Sequence, residues 1–313
     1  MEINTLAFDY QIELPTAFNF KFDLSDYDLK MAILSNSRLR VIDVVSGSIL
    51  SEVDQVVSDK ATVFFNSSNS LIVVDEKQII TWVMEDDLGL FVNNIQRIDI
   101  GSVKASHRNE SFLTHDREFD TLSVYRSSNL HQPILLEESQ DTKMCVLDDL
   151  GLRAMALDQN QGIHIWSTET GAKLKTINLI LYDHITSLLF STFDENILIL
   201  TTLWRGIYIV DIKSGAISDT LDVSMYYPAT KSIAPPKLTF CTNGRNDLVI
   251  FCGGLNPLGK IWAYDIGNRQ LIAENYVEGV PYFLRAINEK NHLAVEIDNS
   301  HFNFYHINRI ANS

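Results

Sequence analysis

A short strand-like pattern recurs along the whole of this chain, and it limits the fold more than any other feature. Seven segments read apolar-x-apolar and end on a bulky residue: 39–42 (LRVI), 79–82 (IITW), 122–125 (LSVY), 163–166 (IHIW), 207–210 (IYIV), 261–264 (IWAY) and 302–305 (FNFY), with Thr81 the polar exception. Their last residues fall at 42, 82, 125, 166, 210, 264 and 305, giving intervals of 40, 43, 41, 44, 54 and 41. Period-two alternation marks each segment as a strand. A repeat of about 40–45 residues leaves room for four short strands and their turns in each unit.

Such a unit cannot bury both its faces alone, so stacked copies are required. Runs such as 196–200 (NILIL) and 247–251 (DLVIF) are nearly continuous in aliphatic residues, as expected of inner strands covered on both faces. Turn signals follow several of the repeated strands, at Ser46-Gly47, Thr170-Gly171, Ser214-Gly215 and Gly267-Asn268. No segment keeps a helical period beyond two turns. The expected fold is all-β, a seven-bladed β-propeller closed by an N-terminal strand.

The segment 163–171 (IHIWSTETG) resembles the end of a WD repeat, with Ser167 where that repeat has Asp. Ile207 to Asp211 keeps the Asp and has Val210 for Trp; Leu39 to Asp43 and Ile261 to Asp265 are similar. Val83, Arg126 and His306 hold the Asp position in the other three. Asp183-His184 is the best trace of the Gly-His dipeptide that opens such repeats. By period the resemblance spans the whole chain, so the sequence resembles a divergent WD-repeat protein. That implies a structural hydrogen bond for His184 inside its blade.

We assign blades to 18–54, 61–100, 107–138, 144–179, 185–223, 236–277 and 280–308 of one propeller domain over 1–313. The last has room for only three strands, and 5–13 has no blade of its own. Pairing 5–13 as its outer strand closes the ring. The third blade has the least support, because 108–126 is polar and poor in strand formers.

A net charge of −15 repels phosphate backbones at long range, which argues against nucleic acid as the partner. No apolar run approaches the roughly 18–20 residues that span a bilayer. The start, Met-Glu-Ile-Asn, is acidic where a signal peptide is basic. Cys145, Cys241 and Cys252 show no metal-ligand spacing and are expected to be reduced thiols of a cytoplasmic or nuclear protein.

A search for chemistry yields little. The eight histidines form no ligand set, and His164 reads as a packed strand residue. There is no nucleophile elbow and no phosphate-binding glycine loop; the Gly-rich 253–259 reads as a turn between strands. Asp116, Asp158 and Asp298 would have to act if the propeller were an enzyme resembling lactonases, yet each reads as a turn residue after a strand. The lipid-binding propellers carry Phe-Arg-Arg-Gly, whereas Leu203-Trp204-Arg205-Gly206 offers one arginine, which argues against membranes. Leu14-Pro15 resembles the start of an F-box, but the first blade leaves no room for its helices. No cofactor, metal or small molecule is expected.

The interval of 54 breaks the period. Its extra residues fall near 224–236, in the connection from the outer strand of the fifth blade to the inner strand of the sixth. In WD-like propellers this connection shares a rim with the turns between second and third strands, here Trp204-Arg205 and 253–259. Trp204, Arg205, Met225, Tyr226, Tyr227 and Lys231 would then meet on one rim, and most of these types are enriched in interface anchors. The expected function is a non-catalytic scaffold or adaptor that binds proteins or peptides within a complex. A hydrolase- or lactonase-like enzyme and a chaperone-like adaptor for one client are the alternatives.

Overall fold

The computed structural model describes residues 6–13, 21–25, 28–54, 61–67, 69–85, 89–97, 107–108, 110–116, 118–148, 150–181, 183–191, 194–203, 206–222, 237–242, 247–255, 258–287, 292–298 and 301–307. Among these there are strands and turns and no helix.

The first strand is β1 (Leu6–Glu13). Blade one then comprises β2 (Lys21–Leu24), β3 (Lys30–Ser35), β4 (Arg38–Asp43) and β5 (Ile49–Val53). Blade two comprises β6 (Thr62–Ser67), β7 (Ser70–Asp75), β8 (Gln78–Glu85) and β9 (Gly89–Arg97). Blade three comprises β10 (His107–Arg108), β11 (Ser111–Asp116), β12 (Thr121–Arg126) and β13 (Asn129–Leu135). Blade four comprises β14 (Thr142–Leu147), β15 (Arg153–Asp158), β16 (Gly162–Ser167) and β17 (Lys173–Asn178). Blade five comprises β18 (Ile185–Phe190), β19 (Ile197–Thr202), β20 (Ile207–Asp211) and β21 (Ala216–Leu221). Blade six comprises β22 (Lys237–Thr242), β23 (Asp247–Leu255), β24 (Leu258–Asp265) and β25 (Gln270–Glu278). Blade seven holds β26 (Pro281–Ile287), β27 (His292–Ile297) and β28 (His301–Ile307), and β1 is its fourth strand. Six of the seven sheets pair consecutive strands, the seventh takes β1 beside β28, and each repeated segment is the third strand of its sheet.

The chain divides into two compact units, Thr16–Ile177 with blades one to four, and Met1–Pro15 with Asn178–Ser313. Within each unit, alternation sends successive side chains of an inner strand to opposite neighbours. In the first unit, Val63, Phe65, Leu71 and Val73 of blade two pack with Val41 and Leu39 of blade one. Phe64, Ile72 and Val74, the residues in between, pack with Phe112 and Tyr125 of blade three. In the second unit, Val249 and Phe251 of blade six meet Ile207 and Ile209 of blade five, while Leu248 and Ile250 meet Leu293 and Val295 of blade seven. Burial on both faces is why these strands show no polar alternation. Each fully buried Val, Leu, Ile or Phe contributes about 1.5–3 kcal/mol.

The outer strands share a further device. Each of five carries one extra residue opposite the last step of the repeated segment: Leu50 opposite Val41–Ile42, Asn93 opposite Thr81–Trp82, Ser218 opposite Ile209–Val210, and Ile272 opposite Ala263–Tyr264. The fifth is Asp9 of β1, opposite Phe304–Tyr305. Such a bulge bends the outer strand and increases its twist. That β1 carries it in the same place shows that the N-terminal strand is equivalent to the outer strands of the other blades.

Blade three, the one with least support in the sequence, is a four-stranded sheet. The polar stretch 108–126 contains two six-residue strands, β11 and β12. The polar residues Ser111, Thr114 and His115 are buried in β11, and His115 is held by Asp120, so polarity there does not mark a loop. Only β10, with two residues, is short.

Candidate functional site

Each sheet offers two ends to a partner, and the turns at the two ends are built differently. At one end lie the turns between third and fourth strands. In blade one, Asp43 Oδ1 accepts from Ser46 N and Ser46 Oγ, both at 2.7 Å. In blade five, Asp211 Oδ1 accepts from the same two groups of Ser214, both at 2.6 Å. In blade six, Asp265 accepts from Asn268 N and Nδ2, both at 2.9 Å. Ser167 of blade four takes the role with longer bonds, from Glu169 N at 3.2 Å and Thr170 N at 3.4 Å. The Asp after the bulky residue is thus a turn cap. The backbone and hydroxyl hydrogen bonds from Ser46 hold the Asp43 carboxyl below the usual range. In these four blades the turn is closed by hydrogen bonds from its own polar groups. Gly267, read from the sequence as a turn signal, is not the left-handed residue of its turn; Arg269 is, with φ of 53°.

At the other end lie the turns between second and third strands and the connections between blades. In the first unit they are joined by side chains. His115 Nε2 and Asp120 Oδ1 are 2.7 Å apart, and Asp120 Oδ2 accepts from Asp141 N at 2.7 Å. Gln159 Nε2 then donates to Asp141 Oδ1 at 3.0 Å. One network therefore ties the turns of blades three and four to the connection between them. Phe119 stands at its tip, 67% exposed. Sequence reasoning missed this cluster; its signal was the close set Asp116, Glu118 and Asp120 around an aromatic.

In the second unit the turn of blade five packs on the root of the long connection. Gly206 has φ of +142°, and a Cβ there would lie 2.3 Å from Leu221 O, so only glycine fits. Ile207 pairs with Leu221, the last residue of β21, and the connection runs from Asp222 to Lys237. Thr202 N donates to Gly206 O and Leu203 N to His184 O, which fixes both stems of the turn. The two segments proposed to share a rim thus start side by side. The six residues themselves, Trp204, Arg205, Met225, Tyr226, Tyr227 and Lys231, lie outside the described residues. The Gly-rich stretch of blade six joins two strands whose pairing runs through its glycines. Gly253 pairs with Lys260, Gly254 with Gly259 and Leu255 with Leu258. Backbone pairing needs no side chain, so the glycines continue the ladder.

The carboxylates considered for catalysis are turn residues. Asp116 Oδ1 accepts from Glu118 N and Phe119 N, and Asp298 Oδ1 from Val280 N. Asp158 Oδ1 accepts from Asn160 N and Gly162 N, and its Oδ2 lies 2.9 Å from His164 Nε2. Burial pushes the Asp158 carboxyl up, but the bonds from His164, Gly162 and Asn160 together hold it below its usual value. His164 Nδ1 is 3.0 Å from Thr176 Oγ1. The Asp–His–Thr order has the outline of a nucleophilic triad, but these groups tie the turn, the third strand and the fourth strand of blade four together. The described residues hold no group of three metal-ligating side chains placed to share an ion. His184 is exposed; its N–H donates to Asp183 Oδ1 at 2.8 Å and its carbonyl accepts from Leu203 N at 3.0 Å.

No protein-family model matches the chain, and no curated protein matches it in sequence. Solved structures do. Hsv2 of Kluyveromyces lactis is similar at 14% identity and a TM-score of 0.61, over 84% of this chain and 87% of that one. A form of the same protein with its loop 6CD replaced by a Gly-Ser linker is similar at 14% identity and a TM-score of 0.60, over 79% and 82%. A chain of the mitotic checkpoint complex is similar at 12% identity and a TM-score of 0.66, over 98% and 92%. This chain has a β-propeller fold. At such identities the likeness speaks for the propeller fold alone, so the function of this propeller must be argued from its own surface.

Proposed function

We propose that this propeller is a non-catalytic protein-binding scaffold, a subunit of a larger assembly, that docks peptides or folded partners on the rim carrying Trp204, Arg205, Met225, Tyr226, Tyr227 and Lys231. The observation that carries the reading is the meeting of Gly206 with Leu221. It brings the root of the irregular connection against the turn that bears a tryptophan and an arginine. Loops on a fixed scaffold are where binding residues concentrate. Trp, Tyr and Arg are the types whose truncation at an interface most often costs more than about 2 kcal/mol. A structure similar to this one belongs to a protein complex, which agrees with the reading.

The test is capture of partners by the tagged chain, with thermal melts run beside it. Trp204→Ala and Tyr226→Ala should melt like the parent and bind roughly thirtyfold more weakly for each 2 kcal/mol lost. Thr170→Ala, at the closed-turn end, should bind normally. Rim variants that recover every partner at parental yield would place the binding face elsewhere.

A further inference from the structure

Blades three and four each pair a histidine with an aspartate, and the two pairs end differently. In blade three, His115 Nε2 meets Asp120, and its Nδ1 is buried with no hydrogen-bond partner among the described residues. In blade four, His164 Nε2 meets Asp158 Oδ2 at 2.9 Å, and its Nδ1 lies 3.0 Å from Thr176 Oγ1. The turn of blade four is closed without the histidine, because Asp158 Oδ1 already accepts from Asn160 N and Gly162 N. That leaves Oδ2 to hold the imidazole. Asp158 is held below the usual carboxylate range, so at neutral pH it is ionised and can only accept. The proton of a neutral His164 therefore sits on Nε2, and Nδ1 is a bare acceptor to which the Thr176 hydroxyl donates. An aspartate that fixes the tautomer, an imidazole base and a hydroxyl bonded to that base are the parts of an activated nucleophile. Thr176 is exposed on β17, so a reagent in solution can reach its oxygen.

We infer that Thr176 is a self-acylation site, a hydroxyl that takes an acyl group from an activated ester such as an aryl ester or a thioester. In this step Thr176 Oγ1 bonds to the acyl carbon and its proton passes to His164 Nδ1. The bond between the acyl carbon and the leaving group then breaks. Its electron pair goes to the departing phenolate or thiolate, which takes the proton from Nδ1. Leu174, two residues earlier on the same strand and 56% exposed, offers an apolar surface to the acyl chain. The product is an alkyl ester, and the threonine alkoxide is a far poorer leaving group than a phenolate or thiolate. The acyl group therefore stays, and the reaction marks the scaffold once per chain without turnover. General-base help of this kind contributes about 10²–10⁴-fold, which separates Thr176 from hydroxyls that lack it. Thr170, exposed in the turn before β17, is the comparison. Its hydroxyl accepts from Ala172 N at 3.2 Å, and among the described residues no histidine is bonded to it.

The full chain treated with p-nitrophenyl butyrate, followed by intact mass and peptide mapping, tests this, with thermal melts run beside it. The expected result is one butyryl group per chain on Thr176, formed at least about a hundredfold faster than on Thr170. Thr176→Ser should keep the label and Thr176→Val should lose it. His164→Gln should slow labelling of Thr176 by at least about a hundredfold and leave the slow acylation of lysines unchanged. The comparison of Thr176 with Thr170 is made within the parent and stands even where a variant melts early. Label on Thr176 that forms no faster than on Thr170, label confined to lysines and the N-terminus, or a His164→Gln chain labelled at the parental rate overturns the inference.

Discussion

At the scale of the residue, the repeat is a pattern of turn chemistry. The resemblance drew attention to Asp43, Asp211 and Asp265, and the structure gives them one task, the cap of the turn that follows. Because that cap lowers the Asp43 pKa, its contribution is full above the usual carboxylate range and is lost as pH falls through the folded value. Asp43→Ala should cost about 1 kcal/mol at neutral pH. Denaturant melts of both proteins should show that gap closing in acid, and a gap independent of pH would contradict the assignment. Gly47 and Gly171 sit in equivalent turns with φ of +68° and +75°. Sequence shows them as the same signal, but their surroundings differ. A Cβ at Gly47 meets nothing, whereas one at Gly171 would lie 2.2 Å from Leu135 O. Gly47→Ala should cost about 1–2 kcal/mol, the strain of the left-handed backbone alone. Gly171→Ala should cost clearly more, because backbone must move. Equal losses in urea titration would show that the close approach to Leu135 is not felt.

At the scale of the element, alternation and period marked the third strand of every blade, and gave least support where polar residues are buried. Ser111, Thr114 and His115 left blade three with the least support, because sequence does not show that Asp120 is there to hold the histidine. The bulges were also hidden, since a bulge is set by pairing between two strands and not by either one. β1 was found by elimination, as the stretch 5–13 without a blade. Its role gives a direct prediction. Loss of residues 1–14 removes a whole strand from blade seven, strips Tyr10 from Phe304, a stacked pair 4.8 Å apart, and breaks the Asp9–His292 bond. The truncated chain should aggregate or melt far below the parent. A monomeric truncation with an unchanged melting temperature would mean that β1 is dispensable. On adjacent strands of blade six, Cys241 pairs with Leu248 and Cys252 with Lys237, so the two cysteines are four positions out of register. That separation exceeds the roughly 7 Å that a disulfide can bridge. Thiol titration of the denatured, unreduced chain should count three; a count of one would contradict the register.

At the scale of the molecule, the 40-to-44 spacing was enough to read seven blades, because a propeller repeats one packing problem around the chain. The binding site is less legible. Sequence marks where the period breaks and which residue types crowd there, but it cannot show that Gly206 meets Leu221. The chemistry of the partner is written in the partner. The central claim is that the break in the period is the binding feature. The most direct measurement is quantitative affinity purification of the full chain beside a form whose residues 224–235 are replaced by a Gly-Ser linker of equal length. The account predicts equal melting temperatures and loss of the specific partners from the linker form. Equal melting with an unchanged set of partners at unchanged yield would contradict it.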